Sequence, residues 1–179
     1  EQGMFMLEGA RLVQDALKEN AELHFVLFTH SALEKAENGE GKYGEALNLL
    51  ENVRNAPRAF VIPDDLGEKL SATEGTQGIF AVCGIPDNGD FSDNVKSGGK
   101  YVVLHTLQDP GNMGTVIRTA DALGVDGIAA VGCCDIYNPK TVRSAMGALM
   151  RMPVCEVSED EMFAAFAGKN IRTFASVVS

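Results

Sequence analysis

Residues 108–124 of this 179-residue chain read Gln-Asp-Pro-Gly-Asn-Met-Gly-Thr-Val-Ile-Arg-Thr-Ala-Asp-Ala-Leu-Gly. They follow an apolar stretch, residues 101–107, which predicts a β-strand. Apolar side chains then recur at the spacing of one helix face, at Met113, Val116, Ile117 and Ala120. Gly124 predicts the end of that helix. The strand, the polar turn and the helix together predict a β-turn-α unit, and in open α/β sheets such a turn lies where ligands bind.

The rest of residues 100–179 continues this alternation of strand and helix. Further strands are predicted at residues 127–131, 153–157 and 171–178. Asn138 with Pro139 predicts the start of a helix that reaches about residue 150. Ser158 with Glu161 predicts a capping box for a helix to about residue 167. This order predicts a parallel sheet with helices on both faces.

Residues 1–84 have a different, mixed pattern. Strands are predicted at residues 23–29, 59–62 and 78–83, and helices at about residues 8–18, 43–53 and 63–70. Residues 85–99 are rich in Pro, Gly, Asn, Asp and Ser, which is typical of turns and linkers. The sequence therefore predicts two domains, residues 1–84 and 100–179, joined by a linker.

Composition and charge limit the possible functions. The formal net charge is −10 and 45% of the residues are hydrophobic, as in a foldable globular chain. The acidic excess lies almost wholly before residue 100, which argues against wide non-specific nucleic-acid binding but leaves room for a local basic patch later in the chain. No apolar run is long enough for a membrane span and no signal-peptide pattern is present. The four cysteines lack metal-ligand spacing, so we expect free thiols, no metal site and a cytoplasmic location.

The turn and first helical residues of 108–124 carry the candidate chemistry. Pro110 and Gly111 shape the turn, and Asn112 is suited to cap the helix or to hydrogen-bond a ligand. Gly114 permits close approach of another backbone, and Arg118 lies one turn further on the same side, where it suits an anion such as phosphate. Simple capping by the turn residues, and a surface pair between Arg118 and Asp121, remain open alternatives. The P-loop and dinucleotide patterns are both absent.

These residues closely resemble the first signature of the SpoU/TrmH family of RNA ribose 2′-O-methyltransferases, Asn-x-Gly-x-x-x-Arg, at Asn112, Gly114 and Arg118. Residues 138–143, followed by Gly147, resemble the next block of that family. Residues 5–9 and 76–82 resemble the two ends of its small RNA-binding domain, which is similar to ribosomal protein L30e.

The resemblance implies a fold, a reaction and partners. The expected fold is α/β: a small L30e-like N-terminal domain, then a Rossmann-like parallel-sheet domain of the SPOUT type that is truncated before the trefoil knot. The implied reaction is S-adenosylmethionine-dependent methylation of a ribose 2′-hydroxyl in rRNA or tRNA. The implied partners are that RNA and, in the full-length protein, a second copy of the chain in a homodimer, without a membrane.

The resemblance also assigns roles to particular side chains. Arg118 takes the central catalytic role, and Asn112 would orient Arg118 or the ribose. RNA phosphates would be held by Lys140, Arg143 and Arg151, although Lys140 is equally suited to be a solvated surface residue. The expected structural positions of the motifs are Asp109, Pro110, Gly114, Gly124 and Gly147.

Two departures from the family pattern stand out. The family Ser that precedes the Gly of the second block is displaced by one position here, at Ser144, which puts its usual role in doubt. Two later family signatures, which in the family form the knot and most of the cofactor pocket, do not occur within these 179 residues. The resemblance therefore predicts that this chain alone is inactive and leaves its cofactor-binding residues unknown. The alternative interpretation is a non-catalytic relative that binds RNA or ribosomes.

Overall fold

The computed structural model describes residues 3–52 and 57–176. Seven strands occur in these residues: β1 (Met4–Glu8), β2 (Leu23–Thr29), β3 (Arg58–Ile62), β4 (Ile79–Gly84), β5 (Tyr101–His105), β6 (Gly127–Val131) and β7 (Val154–Glu156). The helices are α1 (Ala10–Lys18), α2 (His30–Glu37), α3 (Gly41–Asn52), α4 (Asp64–Leu70), α5 (Phe91–Asn94), α6 (Pro110–Ala122), α7 (Pro139–Ala145) and α8 (Glu159–Gly168), with a 3-10 helix at Ala148–Met150. Among the described residues, none of these helices is long and apolar enough to cross a membrane.

The first four strands form one mixed sheet in the order β1-β4-β2-β3. β4 pairs antiparallel with both β1 and β2, whereas β3 pairs parallel with β2 at the edge. The central position of β4 explains its almost continuously apolar sequence, because five of its six residues are buried. Alternate residues of β1, Phe5 and Leu7, are buried in the core that α1, α2 and α3 share with this sheet.

The last three strands form a parallel sheet in the order β5-β6-β7, as predicted. Ile128 and Ala130 of β6 pack in the core with α6 and α7, whereas Ala129 packs with Phe166 of α8 and Phe91 of α5. Helices therefore cover both faces of this sheet, and the expected α/β architecture is confirmed. β6 is fully buried and rich in small residues, as a central strand between helices requires.

The core is continuous between the two sheets. Residues of the first sheet and of α6 and α7 belong to one hydrophobic cluster, and the rings of Phe5 and Tyr137 lie 4.9 Å apart. Burial raises the pKa of Tyr137 to about 12. The first and second parts of the chain are therefore packed against one another through side chains.

The segment between the two sheets is not an open linker throughout. Phe91 and Val95 are 7% and 1% exposed, and the Phe91 ring contacts the rings of Tyr101 and Phe166. The linker prediction for residues 85–99 is therefore wrong for α5. Its turn-forming neighbours dominate the composition, but Phe91 and Val95 are buried. The division of the chain at residues 85–99 otherwise stays a prediction.

Three other sequence expectations differ from the structure. The helix predicted to reach residue 150 ends at Ala145, because Met146 and Gly147 adopt left-handed backbone angles, with φ of 48° and 82°. Helix α2 has no counterpart in the prediction; Thr29 caps it by accepting a hydrogen bond from the Ala32 amide. The predicted helix at residues 43–53 corresponds to α3, although Val53 lies outside the described residues.

The strand predicted at residues 171–178 is also wrong over residues 171–176, which form no regular structure. This segment lies beside β5, where it lines a cleft with Tyr101 and Val103. The Ile171 amide instead donates to the carbonyl of Phe166 and closes the end of α8. Residues 177 and 178 lie outside the described part of the chain.

Candidate functional site

The candidate site begins where β5 ends and α6 starts. Thr106 has a positive φ of 54°, which turns the chain out of the sheet. The side-chain amide of Gln108 then donates to the carbonyl of Gly132, at 2.8 Å, in the loop that follows β6. The loops at the carboxyl ends of β5 and β6 are therefore tied together, at the edge of the sheet where the sequence predicts a ligand.

Asp109 caps α6, whereas Asn112, the cap suggested by the sequence, supplies the backbone amide that Asp109 accepts. The Asp109 carboxylate accepts this amide at 2.8 Å, and Pro110 occupies the first turn. This hydrogen bond lowers the pKa of Asp109, and the Lys140 ammonium, 3.9 Å away, favours the same direction. Asp109 is thus the cap residue, and Lys140 is half-exposed beside it.

Gly114 allows α6 and α7 to cross at very short range. A Cβ built at Gly114 would lie 2.4 Å from the carbonyl oxygen of Thr141 and 2.5 Å from the Cβ of Ser144. The predicted close backbone approach at Gly114 is confirmed. Ser144, the displaced serine, packs at this crossing and is partly buried.

Arg118 lies on the exposed side of α6, and its Nη1 contacts the thioether sulfur of Met146 at 2.9 Å. Asp121, the alternative partner, instead accepts a hydrogen bond from Arg151 at 2.7 Å. Among the ion pairs of residues 3–52 and 57–176, none involves Arg118. A thioether is a weak acceptor, so most of the Arg118 N–H donors remain available to an anion.

Asn112 and Arg118 do not share one face of α6. Residues six apart in an α-helix are separated by about 9 Å along the axis and about 120° around it. Asn112 is exposed, and its backbone amide is the group that bonds to Asp109. We therefore expect Asn112 to orient Arg118 only through a ligand that contacts both side chains.

Arg143 and Arg151 both contact carboxylates of the first sheet and its helices. Arg143 Nη1 lies 3.5 Å from Glu8, and Arg151 Nη1 lies 3.3 Å from Glu19. The hydrogen bond to Asp121 raises the pKa of Arg151 further. These two predicted phosphate ligands therefore also bridge the two parts of the chain, a role that their sequence positions do not reveal.

Two of the predicted structural glycines have backbone roles and do not line the site. Gly124 ends α6 with a φ of 65°, as predicted. Gly147 combines a φ of 82° with close contact to α1, since a Cβ there would lie 2.8 Å from the Asp15 carboxylate. Gly147 therefore permits the domain contact that Arg143 and Arg151 flank.

A cleft of about 360 Å³ lies at the carboxyl ends of β6 and β7. Its walls include Gly132, Glu156 and Ser158, all of which are exposed to solvent. Nearby, His105 and Glu159 form an exposed pair at 2.5 Å, which sequence patterns did not predict because the two residues are far apart in the chain. In the described residues no group of His, Cys, Asp and Glu is arranged to hold a metal ion.

Comparison with known protein families gives two matches that follow one another along the chain. The MRM3-like substrate binding domain matches residues 1–81. The SpoU rRNA Methylase family matches residues 99–178.

Several characterised proteins are similar in sequence. The 23S rRNA (guanosine(2553)-2′-O)-methyltransferase RlmP of Bacillus subtilis is 30% identical over 151 residues, which are 84% of this chain and 53% of that protein. The 23S rRNA (uridine(2479)-2′-O)-methyltransferase of Streptomyces viridochromogenes is 30% identical over 157 residues, 87% of this chain and 51% of that protein. The chain thus spans about half the length of these curated relatives.

Solved structures share the fold. The SpoU methyltransferase AviRb of Streptomyces viridochromogenes, in complex with AdoMet, superimposes with a TM-score of 0.76 at 27% identity, over 94% of this chain and 61% of that one. An AdoMet-bound rRNA methyltransferase of Sinorhizobium meliloti gives a TM-score of 0.74 at 24% identity, over 93% of this chain and 59% of that one, and supports the fold alone.

Proposed function

Since this chain belongs to the SpoU rRNA methylase family, we propose that it provides the RNA-binding and ribose-activating parts of an RNA 2′-O-methyltransferase. The substrate is a ribose 2′-hydroxyl of rRNA or tRNA, and the methyl donor is S-adenosylmethionine. The observation that carries this proposal is the placement of Arg118. The Asn-x-Gly-x-x-x-Arg signature lies on α6, and its arginine is exposed and has no carboxylate partner among the described residues.

Arg118 acts on the RNA in this proposal as a cation, not as a base. A guanidinium has a pKa above about 12 and keeps its proton at neutral pH. Its N–H donors can bind the phosphate next to the target ribose and stabilise negative charge that develops on the 2′-oxygen. A phosphate oxygen held in this way can also accept the hydroxyl proton.

Positioning is the second contribution of the chain. The 2′-oxygen must be aligned with the methyl carbon and its leaving group, so small displacements slow the reaction strongly. Gly114 fixes α6 against α7, and Asp109 fixes its first turn. Lys140, next to Asp109, and Arg143 are proposed to hold further phosphates, and Arg151, which pairs with Glu19 and Asp121, is proposed as a third such residue.

S-adenosylmethionine would supply the methyl group when bound. The cleft at the ends of β6 and β7 has exposed walls and does not by itself enclose a molecule of that size. The residues of this chain that can be assigned a step are therefore those that bind and orient the RNA. We also propose a cytoplasmic location and, for the complete enzyme, a homodimer.

We expect Arg118→Ala to abolish most of the methyl transfer by the protein that carries this chain. Removing one charge-stabilising donor typically lowers the rate about a hundredfold to a thousandfold. The measurement is transfer of radiolabelled methyl groups from S-adenosylmethionine to a 23S rRNA transcript. Lys169→Gln is the matched control, because Lys169 is an exposed cation that follows α8 on the opposite face of the sheet.

Calorimetric titration of the 179-residue chain with S-adenosylmethionine tests whether these residues contain the cofactor pocket. We expect no binding to this chain alone. If the Arg118→Ala protein methylates RNA at the wild-type rate, the catalytic proposal is wrong. If the wild-type protein binds the 23S rRNA transcript but never methylates it, the non-catalytic RNA-binding alternative is correct.

A further inference from the structure

Glu8, the last residue of β1, has an unusually well-satisfied carboxylate. Its side chain is only 9% exposed. Three consecutive residues of the loop before β4 donate to it: the Ser71 hydroxyl, the Ala72 amide at 3.2 Å and the Thr73 hydroxyl at 3.1 Å. A buried carboxylate requires such donors, so Glu8 and the loop stabilise one another.

The fourth donor to Glu8 comes from the second part of the chain. Arg143 Nη1 of α7 lies 3.5 Å from Glu8 Oε2, and the Arg143 side chain remains 30% exposed. A guanidinium has five N–H donors, and this contact uses one of them. Glu8 thus engages one donor of Arg143, and the partly exposed guanidinium keeps its other donors available.

The loop of residues 71–77 is also held at its other end. The side-chain oxygen of Gln77 accepts the amide of Ala10 at the start of α1, at 3.3 Å. Between these attachments residues 72–75 are exposed with their backbone, the Thr73 hydroxyl keeps its acceptor lone pairs, and the loop contains no helix or strand. Such groups contact phosphate and ribose oxygens in protein–RNA interfaces.

We propose that Glu8 is a positioning residue that couples the loop of residues 71–77 to Arg143, so that both meet an RNA strand as one surface. The RNA part of this inference rests on the proposed function, whereas the coupling between loop and Arg143 is a property of the protein alone. The two parts can therefore be tested separately.

The coupling is tested by hydrogen exchange of the Ala72 amide, without RNA. We expect Glu8→Gln to accelerate this exchange about tenfold, because the amide loses a charged acceptor. Arg143→Gln, which changes the other part of the chain, should accelerate the same amide. Glu19→Gln is the matched control, since it breaks the other contact between the two parts, with Arg151, and leaves Ala72 unaffected. Unchanged Ala72 exchange in Arg143→Gln would overturn the coupling.

The RNA surface is tested by the affinity for a 23S rRNA transcript over a range of salt concentrations. Arg143→Gln should weaken binding and lower the salt slope by about one. Glu8→Gln should also weaken binding, about fivefold, although it removes a negative charge, and the double variant should be no weaker than Arg143→Gln alone. Tighter binding by Glu8→Gln would mean that Glu8 competes with RNA, which overturns the proposal. If the wild-type protein binds no RNA, the proposed function and the RNA surface fail together, while the exchange result still decides the coupling.

Discussion

At Gly114 two helices approach so closely that a single methyl group has no room. The nearest atoms to a Cβ at this position include the Thr141 carbonyl oxygen at 2.4 Å and the Ala145 amide nitrogen at 2.8 Å. Backbone atoms cannot rotate away as side chains can. We therefore expect Gly114→Ala to lower the free energy of unfolding by about 1–3 kcal/mol, measured by urea denaturation.

Gly168 at the end of α8 provides the control for this substitution. A Cβ at Gly168 meets no atom within 4 Å, and its φ is not positive. Gly168→Ala should be neutral or slightly stabilising, because alanine favours a helix more than glycine does. Equal losses of stability at both positions would contradict the packing argument.

Sequence patterns predicted well those residues whose hydrogen-bond partners are close in sequence. Asn138 and Ser158 cap helices as the sequence indicates, because a cap involves only the next three residues. The pair between Glu8 and Arg143 could not be predicted in this way. Its partners are 135 residues apart, and no periodicity connects them.

Among the helices, α8 has a complete capping box that makes its stability depend on pH. The Glu161 carboxylate accepts the Ser158 amide at 2.8 Å and the Ser158 hydroxyl at 2.7 Å. These hydrogen bonds lower the pKa of Glu161 below its ordinary value of 4.5. A carboxyl group with a lowered folded-state pKa stabilises the fold above its ordinary pKa, and this contribution is lost as the pH falls through the lowered value.

We therefore expect Glu161→Gln to destabilise the protein above pH 4.5, with a difference from wild type that shrinks at lower pH. Urea denaturation at a series of pH values measures this difference. Asp160→Asn is the control, because Asp160 lies in the same helical turn and does not hydrogen-bond Ser158. A difference that grows as the pH falls would contradict the capping argument.

Element ends were harder to predict than element types. The apolar residues after 171 have strand-like composition, but a strand also needs a hydrogen-bonding partner. The Ile171 amide donates to the end of α8 instead, and residues 171–176 form no strand. α7 ends early because Met146 turns left-handed. Methionine rarely adopts that conformation, so composition alone gives no signal for it.

In the whole molecule, α5 packs with α8 on the face of the second sheet opposite to α6 and α7. Phe91 contacts two aromatic rings and is 7% exposed. We expect Phe91→Ala to cost about 3–5 kcal/mol of stability, measured by thermal and urea unfolding. Phe163→Ala removes a ring that is 52% exposed on α8 and should cost much less. Comparable losses would show that α5 is not part of the core.

The role of the acidic residues can be understood only from the folded molecule. The sequence places most of the acidic excess in the first part of the chain, which is unexpected for a domain that is proposed to contact RNA. In the structure, Glu8 and Glu19 face Arg143 and Arg151 of the second part. Some of the carboxylates therefore hold the two parts together, and they do not all repel a phosphate backbone.

The position of β4 in the first sheet bears on how a ribosome makes this protein. β4 lies between β1 and β2, so β1 has no partner until β4 is synthesised, about 70 residues later. At typical rates of translation this interval is about 4 to 14 s. During that time Phe5 and Leu7, which are buried in the finished fold, remain exposed on the nascent chain. We therefore expect this sheet to form late in synthesis, only after β4 has left the ribosome.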